Sequence, residues 1–269
     1  MLSELDKAIE VREGQSLKTD SLETYLQNAM DLPKTYLEIL QFPSGYSNLT
    51  YLLKFGKKEL VLRRPPKGVK IKSGHDMGRE FRILSGLNPI YKKVPKPFLF
   101  CEDQSIIGAP FYIMERMNGV IFRGHTPKDQ LPDSNQMRNL SEALVNTLVE
   151  IHSLDYHAAG LENLGRPDGY IKRQIEGWTK RYINAKTDEL KSLEKTYTWL
   201  NNNIPPEQKS AFIHNDFKYD NLIISQNKDF KIKGILDWEM ATLGDPLMDL
   251  GTTLGYWIQE SDPDFLKEN

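Results

Sequence analysis

The sequence predicts an α+β chain in two lobes. The first is built on a five-stranded antiparallel sheet with one main helix; the second is mostly helical and carries one hairpin. Three observations lead there. Short runs of β-branched, aromatic and leucine residues crowd the first 117 positions around one amphipathic segment. From 135 to 200 the apolar residues return instead at three- and four-residue steps. Two short apolar runs, 222–225 and 231–236, then flank a polar stretch and read as a hairpin. The expected boundary follows Met117, giving a first lobe of 1–117, with 1–34 as an extension and helix, and a second lobe of 118–269.

Taken in order, residues Met1–Lys18 are polar and expected to be loose. Asp20 with Glu23 three positions on has the capping-box pattern, and Leu22, Tyr25, Leu26 and Ala29 share one helical face. Strands are expected at 36–42 and 49–55, around the turn Pro43-Ser44-Gly45-Tyr46-Ser47-Asn48. A third is expected at 59–63, where alternation puts Val61 and Arg63 on one face and turns Arg64 away. The stretch 65–74, rich in proline and glycine, reads as a mobile connector. A helix follows at 75–87 with Met77, Glu80, Leu84 and Leu87 on one stripe. A carboxylate in that position wants a cation, because burying it unpaired is costly. Arg63 is the expected partner, and Arg79 or a neighbouring lysine the alternative.

Strands at 98–101 and 111–117, joined through a turn at 105–110, complete the sheet. In the second lobe Leu140, Leu144, Leu148 and Ile151 mark one helix. Ile171, Ile175, Trp178 and Tyr182 mark a second, and Leu190, Leu193, Tyr197 and Leu200 a third; all three stripes are expected in the core. Gly244-Asp245-Pro246 is a helix-start pattern, with a last helical stretch expected around 254–258.

Chemistry concentrates between two of the apolar runs, in Phe212-Ile213-His214-Asn215-Asp216-Phe217-Lys218-Tyr219-Asp220-Asn221. A turn closing a hairpin accounts for Asn and Asp there. The spacing H-x-D-x-K-x-x-N, however, is also the catalytic-loop pattern of kinase-like phosphoryl transfer. The hairpin that follows presents Asn221 at its start and Asp237 at its end on the same side. Two oxygen donors so placed suit Mg²⁺, which takes few protein ligands and completes its shell with water and phosphate oxygens. With Gly244-Asp245-Pro246-Leu247-Met248-Asp249-Leu250 close downstream, the chain resembles the aminoglycoside phosphotransferase family and its choline-kinase-like small-molecule kinase relatives. The stretches Val61–Pro66 and His75–Glu80 resemble most the phosphotransferase-like domains found alone in bacteria or fused to acyl-CoA dehydrogenases.

That resemblance implies a protein-kinase-like fold and an ATP- and Mg²⁺-dependent enzyme moving the γ-phosphoryl group to a hydroxyl of a small molecule. It makes Asp216 the base that takes the hydroxyl proton and Lys218 the stabiliser of the transferring group, with Asn221 and Asp237 holding the metal. In the first lobe it implies that Ser47 and the backbone around Gly45 reach phosphate oxygens and that Val61 touches adenine. Arg63, paired with Glu80, holds the phosphates where related kinases use lysine. The main chain of Glu115 and Met117 meets the base's edge. Asp245 and Asp249 would brace the catalytic loop or cap the next helix, and His152 and His157 would be structural. The family carries further carboxy-terminal helices, so the chain is expected to be shortened there.

Composition sets the outer bounds. With 269 residues, 39% hydrophobic, and a formal charge of −2, the chain suits an ordinary globular protein. The single Cys101 excludes an internal disulfide and points to a reducing, cytoplasmic setting. No export pattern or membrane-length apolar run is present, and nothing suggests nucleic acid as a partner. Basic residues gather between Lys54 and Lys96 and suit an anionic ligand. The acceptor is left open between a polycationic aminoglycoside and a hydroxyacyl-CoA-like metabolite, as is the oligomeric state. A nucleotide-binding pseudoenzyme and a metal phosphohydrolase stand as alternatives.

Overall fold

In a computed structural model the residues described are 7–43, 48–66, 76–124, 126–207, 209–226 and 229–267. Ser47 and the connector residues 67–75 therefore lie outside the described residues. By contacts the chain divides into two compact units, Met1–Thr147 with Lys218–Met240 and Leu148–Phe217 with Ala241–Asn269.

The first unit is organised by a five-stranded antiparallel sheet of β1 (Leu37–Gln41), β2 (Leu49–Phe55), β3 (Lys58–Arg64), β4 (Pro97–Cys101) and β5 (Phe111–Glu115). Its order is β1-β2-β3-β5-β4. Strand alternation gives the sheet two different faces. Leu60, Leu62, Phe111 and Ile113 join Leu22 and Leu26 of α1 (Thr19–Ala29) in a fully buried cluster. The other face carries Val61, Arg63 and Tyr112 and meets α2 (Met77–Leu87), where Phe81 stacks on Phe100. Arg64 departs toward the first face, donating to the carbonyls of Ile107 and Pro65.

Several local expectations are corrected. The capping box at Asp20 does not form: α1 starts at Thr19 with no side-chain cap, and Glu23 instead accepts the N–H of Leu37 at 2.8 Å. The described part of the amino-terminal segment is not loose, because Ile9 bridges Gln41 and the Tyr51 hydroxyl donates to the Gln15 carbonyl at 2.7 Å. The turn at 105–110 is a single helical turn, α3 (Gln104–Ile107), capped by Asp103 and closed by Gly108 at φ 83°. Strand β5 ends at Glu115, not at Met117.

A long helix, α4 (Ser134–His152), spans the boundary between the units, with Leu140, Leu144, Leu148 and Ile151 all buried. The second unit adds α5 (Tyr170–Ala185) and α6 (Lys191–Asn202), then β6 (Ala211–Ile213). The chain returns to the first unit for the antiparallel hairpin β7 (Leu222–Ile224) and β8 (Ile232–Ile235). It then pairs β9 (Thr242–Gly244) with β6 and runs into α7 (Pro246–Gly255) and α8 (Asp264–Lys267). The helix-start pattern at Gly244-Asp245-Pro246 opens α7 as expected, whereas no separate helix covers 254–258, since α7 ends at Gly255. Among the described residues no helix is long and apolar enough to cross a membrane.

The stripes on α5 and α6 are also corrected. Ile171 is buried as expected, but Trp178 is 61% exposed and Leu193 42%, because these helices line an open cavity of about 760 Å³ instead of closing a core; Leu190, just before α6, is 50% exposed.

Two glycines test the packing in opposite directions. A Cβ on Gly119 would lie 2.3 Å from Ile223 and 2.6 Å from the Ile224 carbonyl oxygen, whereas one on Gly177, inside α5, meets nothing within 4 Å. Gly119→Ala is therefore expected to lower stability by about 1–3 kcal/mol. Gly177→Ala should raise it by about 0.5–1 kcal/mol. Urea midpoints of the two variants check both signs.

Candidate active site

Arg63 is the centre of the first unit's polar architecture. Its Nη1 lies 2.7 Å from Glu80 Oε1, and its Nη2 lies 2.9 Å from Asp237 Oδ1 and 3.7 Å from Glu239 Oε2. Burial alone would pull the guanidinium's pKa down, but Glu80 and Asp237 outweigh it and push it well up. Burial likewise pushes the Glu80 carboxyl up, while Arg63 pulls it back. Arg79, the other candidate partner for Glu80, donates to the Glu239 carbonyl at 2.8 Å. Asn48 donates to the Glu239 carboxylate at 2.5 Å.

This network borders a cleft lined by Val61, Arg63, Glu115, Met117, Asn221 and Asp237 together. Glu80 reaches it through Arg63. The hairpin brings its two oxygen donors there: Leu236 N–H donates to the Asn221 carbonyl at 2.8 Å, so the strand ends stay in register. Asp237 adopts φ 65°, a left-handed conformation that aspartate tolerates better than most residues. Lys218 belongs to this unit but is not among the lining residues; its carbonyl accepts the Asn221 N–H at 3.0 Å.

Sequence reasoning missed the walls of the cleft. Phe42, Ile121, Ile223 and Leu236 give it apolar sides, and Arg116, Arg123 and Asp220 give it charge. Ile223 is signalled by its alternation with Leu222 and Ile224. Arg116 lies over the Phe42 ring at 4.8 Å, a pairing across distant segments that no local pattern marks. At the expected hinge the Glu115 N–H is committed to the Lys96 carbonyl at 2.8 Å, so of that residue's main-chain groups only the carbonyl is left to consider.

The donor set suits Mg²⁺ with a polyphosphate. Asn221 and Asp237 both line the cleft and offer hard oxygen atoms. The apolar walls beside this polar end suit a planar heterocycle.

The loop holding Asp216 is built in the second unit. Asp249 on α7 is fully buried and accepts the backbone N–H groups of His214 at 2.8 Å and Asn215 at 2.7 Å, with His152 Nε2 at 3.0 Å. Asn215 sits at φ 63°, and its side chain exchanges hydrogen bonds with the Tyr170 hydroxyl. The Asp216 N–H donates to His214 Nδ1 at 3.2 Å, and the Tyr256 hydroxyl donates to Asp216 Oδ1 at 2.6 Å. Asp245 caps α7 through the Leu247 N–H. Both downstream aspartates are thus structural, one as a brace and one as a cap, and His152 belongs to the brace.

Comparisons place the chain among known proteins. Residues 38–269 match the model of the phosphotransferase enzyme family, APH. Mouse acyl-CoA dehydrogenase family member 10 is 37% identical over 255 residues, covering 94% of this chain but only 24% of that protein's length. The crystal structure of a candidate aminoglycoside phosphotransferase from Ralstonia eutropha is 29% identical, with a TM-score of 0.77 over 92% of this chain and 72% of that one. The GDP and kanamycin complex of an aminoglycoside 2″-phosphotransferase aligns with a TM-score of 0.61 at 16% identity, over 91% of this chain and 84% of that one, which shows a shared fold.

The brace carries a pH signature. Burial would raise the Asp249 carboxyl, but the bond from His152, the nearby His214 and the two loop N–H groups together hold it below the usual aspartate range. Its contribution to stability is therefore complete above the unfolded value of about 3.9 and is lost as pH falls through the lower folded value. Asp249→Asn should cost about 1.5–3 kcal/mol at neutral pH and flatten stability below pH of about 4. Urea unfolding at stepped pH reads both effects.

Proposed function

The chain belongs to the phosphotransferase enzyme family, and from that premise we propose that it is an ATP- and Mg²⁺-dependent phosphotransferase acting on a hydroxyl of a small molecule. The observation that carries the reading is the Arg63 network bordering a cleft that Asn221 and Asp237 also line. Arg63, held by Glu80, steadies the phosphates, and Asn221 and Asp237 hold the metal. An ion held there would supply positive charge to offset that developing on the phosphates. Val61 and the apolar walls take the base. Asp216 accepts the acceptor's proton as its oxygen bonds to the γ-phosphorus and the bond to ADP breaks, while Lys218 offsets charge on the moving group.

The acceptor side has its own indication. The cavity of about 760 Å³ in the second unit is lined by Ile175, Trp178, Tyr182, Leu193, Tyr197 and Leu200 with their neighbours, and no charged side chain is among them. It borders the loop of Asp216, since Ile171 lines it and Tyr170 bonds Asn215. A polycationic aminoglycoside needs carboxylates there, whereas a hydroxylated metabolite with an apolar portion, such as a hydroxyacyl-CoA-like acceptor, does not. This supports the second acceptor class over the first.

The test is a screen of hydroxyacyl-CoA thioesters, other hydroxylated metabolites and aminoglycosides with Mg-ATP, read by mass spectrometry. A phosphorylated hydroxyacyl product is expected, abolished by chelation of Mg²⁺. Asp216→Asn should lower its rate by about 10²–10⁴ while leaving nucleotide affinity within about twofold. Phosphate release from a monoester without ATP, or full activity in Asp216→Asn, would overturn the assignment.

A further inference from the structure

The loop carrying Asp216 is gripped twice by α7, and the two contacts differ in kind. Asp249, buried in the first turn of the helix, takes the backbone of His214 and Asn215. Tyr256, the residue capping the helix at its end, reaches the Asp216 side chain itself: its phenol donates to Oδ1 at 2.6 Å. The first contact shapes the loop; the second occupies a reactive oxygen. Asp249 already holds the turn, so the loop's shape does not require the phenol. Tyr256 is also 45% exposed, so the residue is not locked in the core.

We propose that the Tyr256 hydroxyl occupies the position of the acceptor hydroxyl on Asp216 and determines specificity for an alcohol acceptor over water. The inference rests on the phosphotransfer reading and extends it. A phenol donating to the carboxylate makes the same contact that an acceptor alcohol must make before its proton is taken. While it is there, water is kept from that oxygen. An alcohol brings its own binding contacts to displace the phenol, whereas water brings none, and this is how a transferase avoids spending ATP on hydrolysis. Tyr256 acts through Asp216, as a positioning residue and not as a group that exchanges the phosphoryl.

The experiment uses the full chain with Mg-ATP alone, so that water is the only acceptor. In hydrolysis, water's oxygen bonds to the γ-phosphorus, the bond to ADP breaks, and Asp216 takes a proton. Tyr256→Phe keeps the ring and removes the hydroxyl. It is expected to raise acceptor-free release of ADP and phosphate by about tenfold or more, the scale set by one hydrogen bond to a charged group. The KM for ATP should stay within about twofold, since the substitution removes one hydroxyl and leaves the nucleotide-holding residues in place; adding Asp216→Asn to the variant should cancel the gain. A merely structural tyrosine would leave hydrolysis unchanged or lower it, and either result overturns the proposal. The underlying reading fails separately: neither the natural chain nor Tyr256→Phe would then turn over Mg-ATP with water or with any acceptor of the screen.

Discussion

One buried guanidinium decides the layout of the first unit. Arg63 sits on a strand whose alternate residues, Leu60 and Leu62, are committed to a fully buried apolar cluster. It must therefore emerge on the opposite face, where it is almost fully buried. Glu80 on α2 and the carboxylates of Asp237 and Glu239 supply what water would have supplied. The strand, the helix and the segment after the hairpin are tied by a single side chain. Removing one partner of such a pair leaves a buried charge uncompensated, typically about 3–5 kcal/mol, so the arrangement resists partial change.

The second unit solves a similar problem with the opposite charge. Asp249 is a carboxylate taken fully out of water, and it is stabilised by two backbone N–H groups and a histidine. Those N–H groups belong to the loop that presents Asp216, so the cost of burying Asp249 is offset only while the loop keeps its turn. The left-handed conformation of Asn215 is held in the same way. Positioning of the Asp216 side chain thus follows from satisfying the buried charge of Asp249 through the two residues that precede Asp216.

Much of this was legible in the sequence, for reasons that can be named. Strand alternation put Val61 and Arg63 together because period-two patterning depends only on backbone geometry. Glu80 stood out because a carboxylate on an apolar helical stripe must find a cation. The loop between β6 and β7 was marked by residue types that have few other reasons to occur at that spacing. Contacts between distant segments were not legible. Arg116 over Phe42, Arg123 in the cleft and Tyr256 on Asp216 depend on where separate elements come to rest, and no local pattern encodes that. The stripes of α5 and α6 misled because apolar periodicity looks the same whether it faces a core or an open cavity. Glu23 misled because a side chain suited to a cap found a better use on the Leu37 N–H.

The proposed function requires the Arg63 cleft to bind a metal-bound nucleotide through Asn221 and Asp237. Calorimetric titration with ATP, in the presence and absence of Mg²⁺, on the natural chain and on Asp237→Asn, asks this directly. The expected result is ATP binding strengthened by about tenfold or more by Mg²⁺ in the natural chain, with that gain absent in Asp237→Asn. Binding indifferent to Mg²⁺, or a gain that survives the substitution, would contradict it.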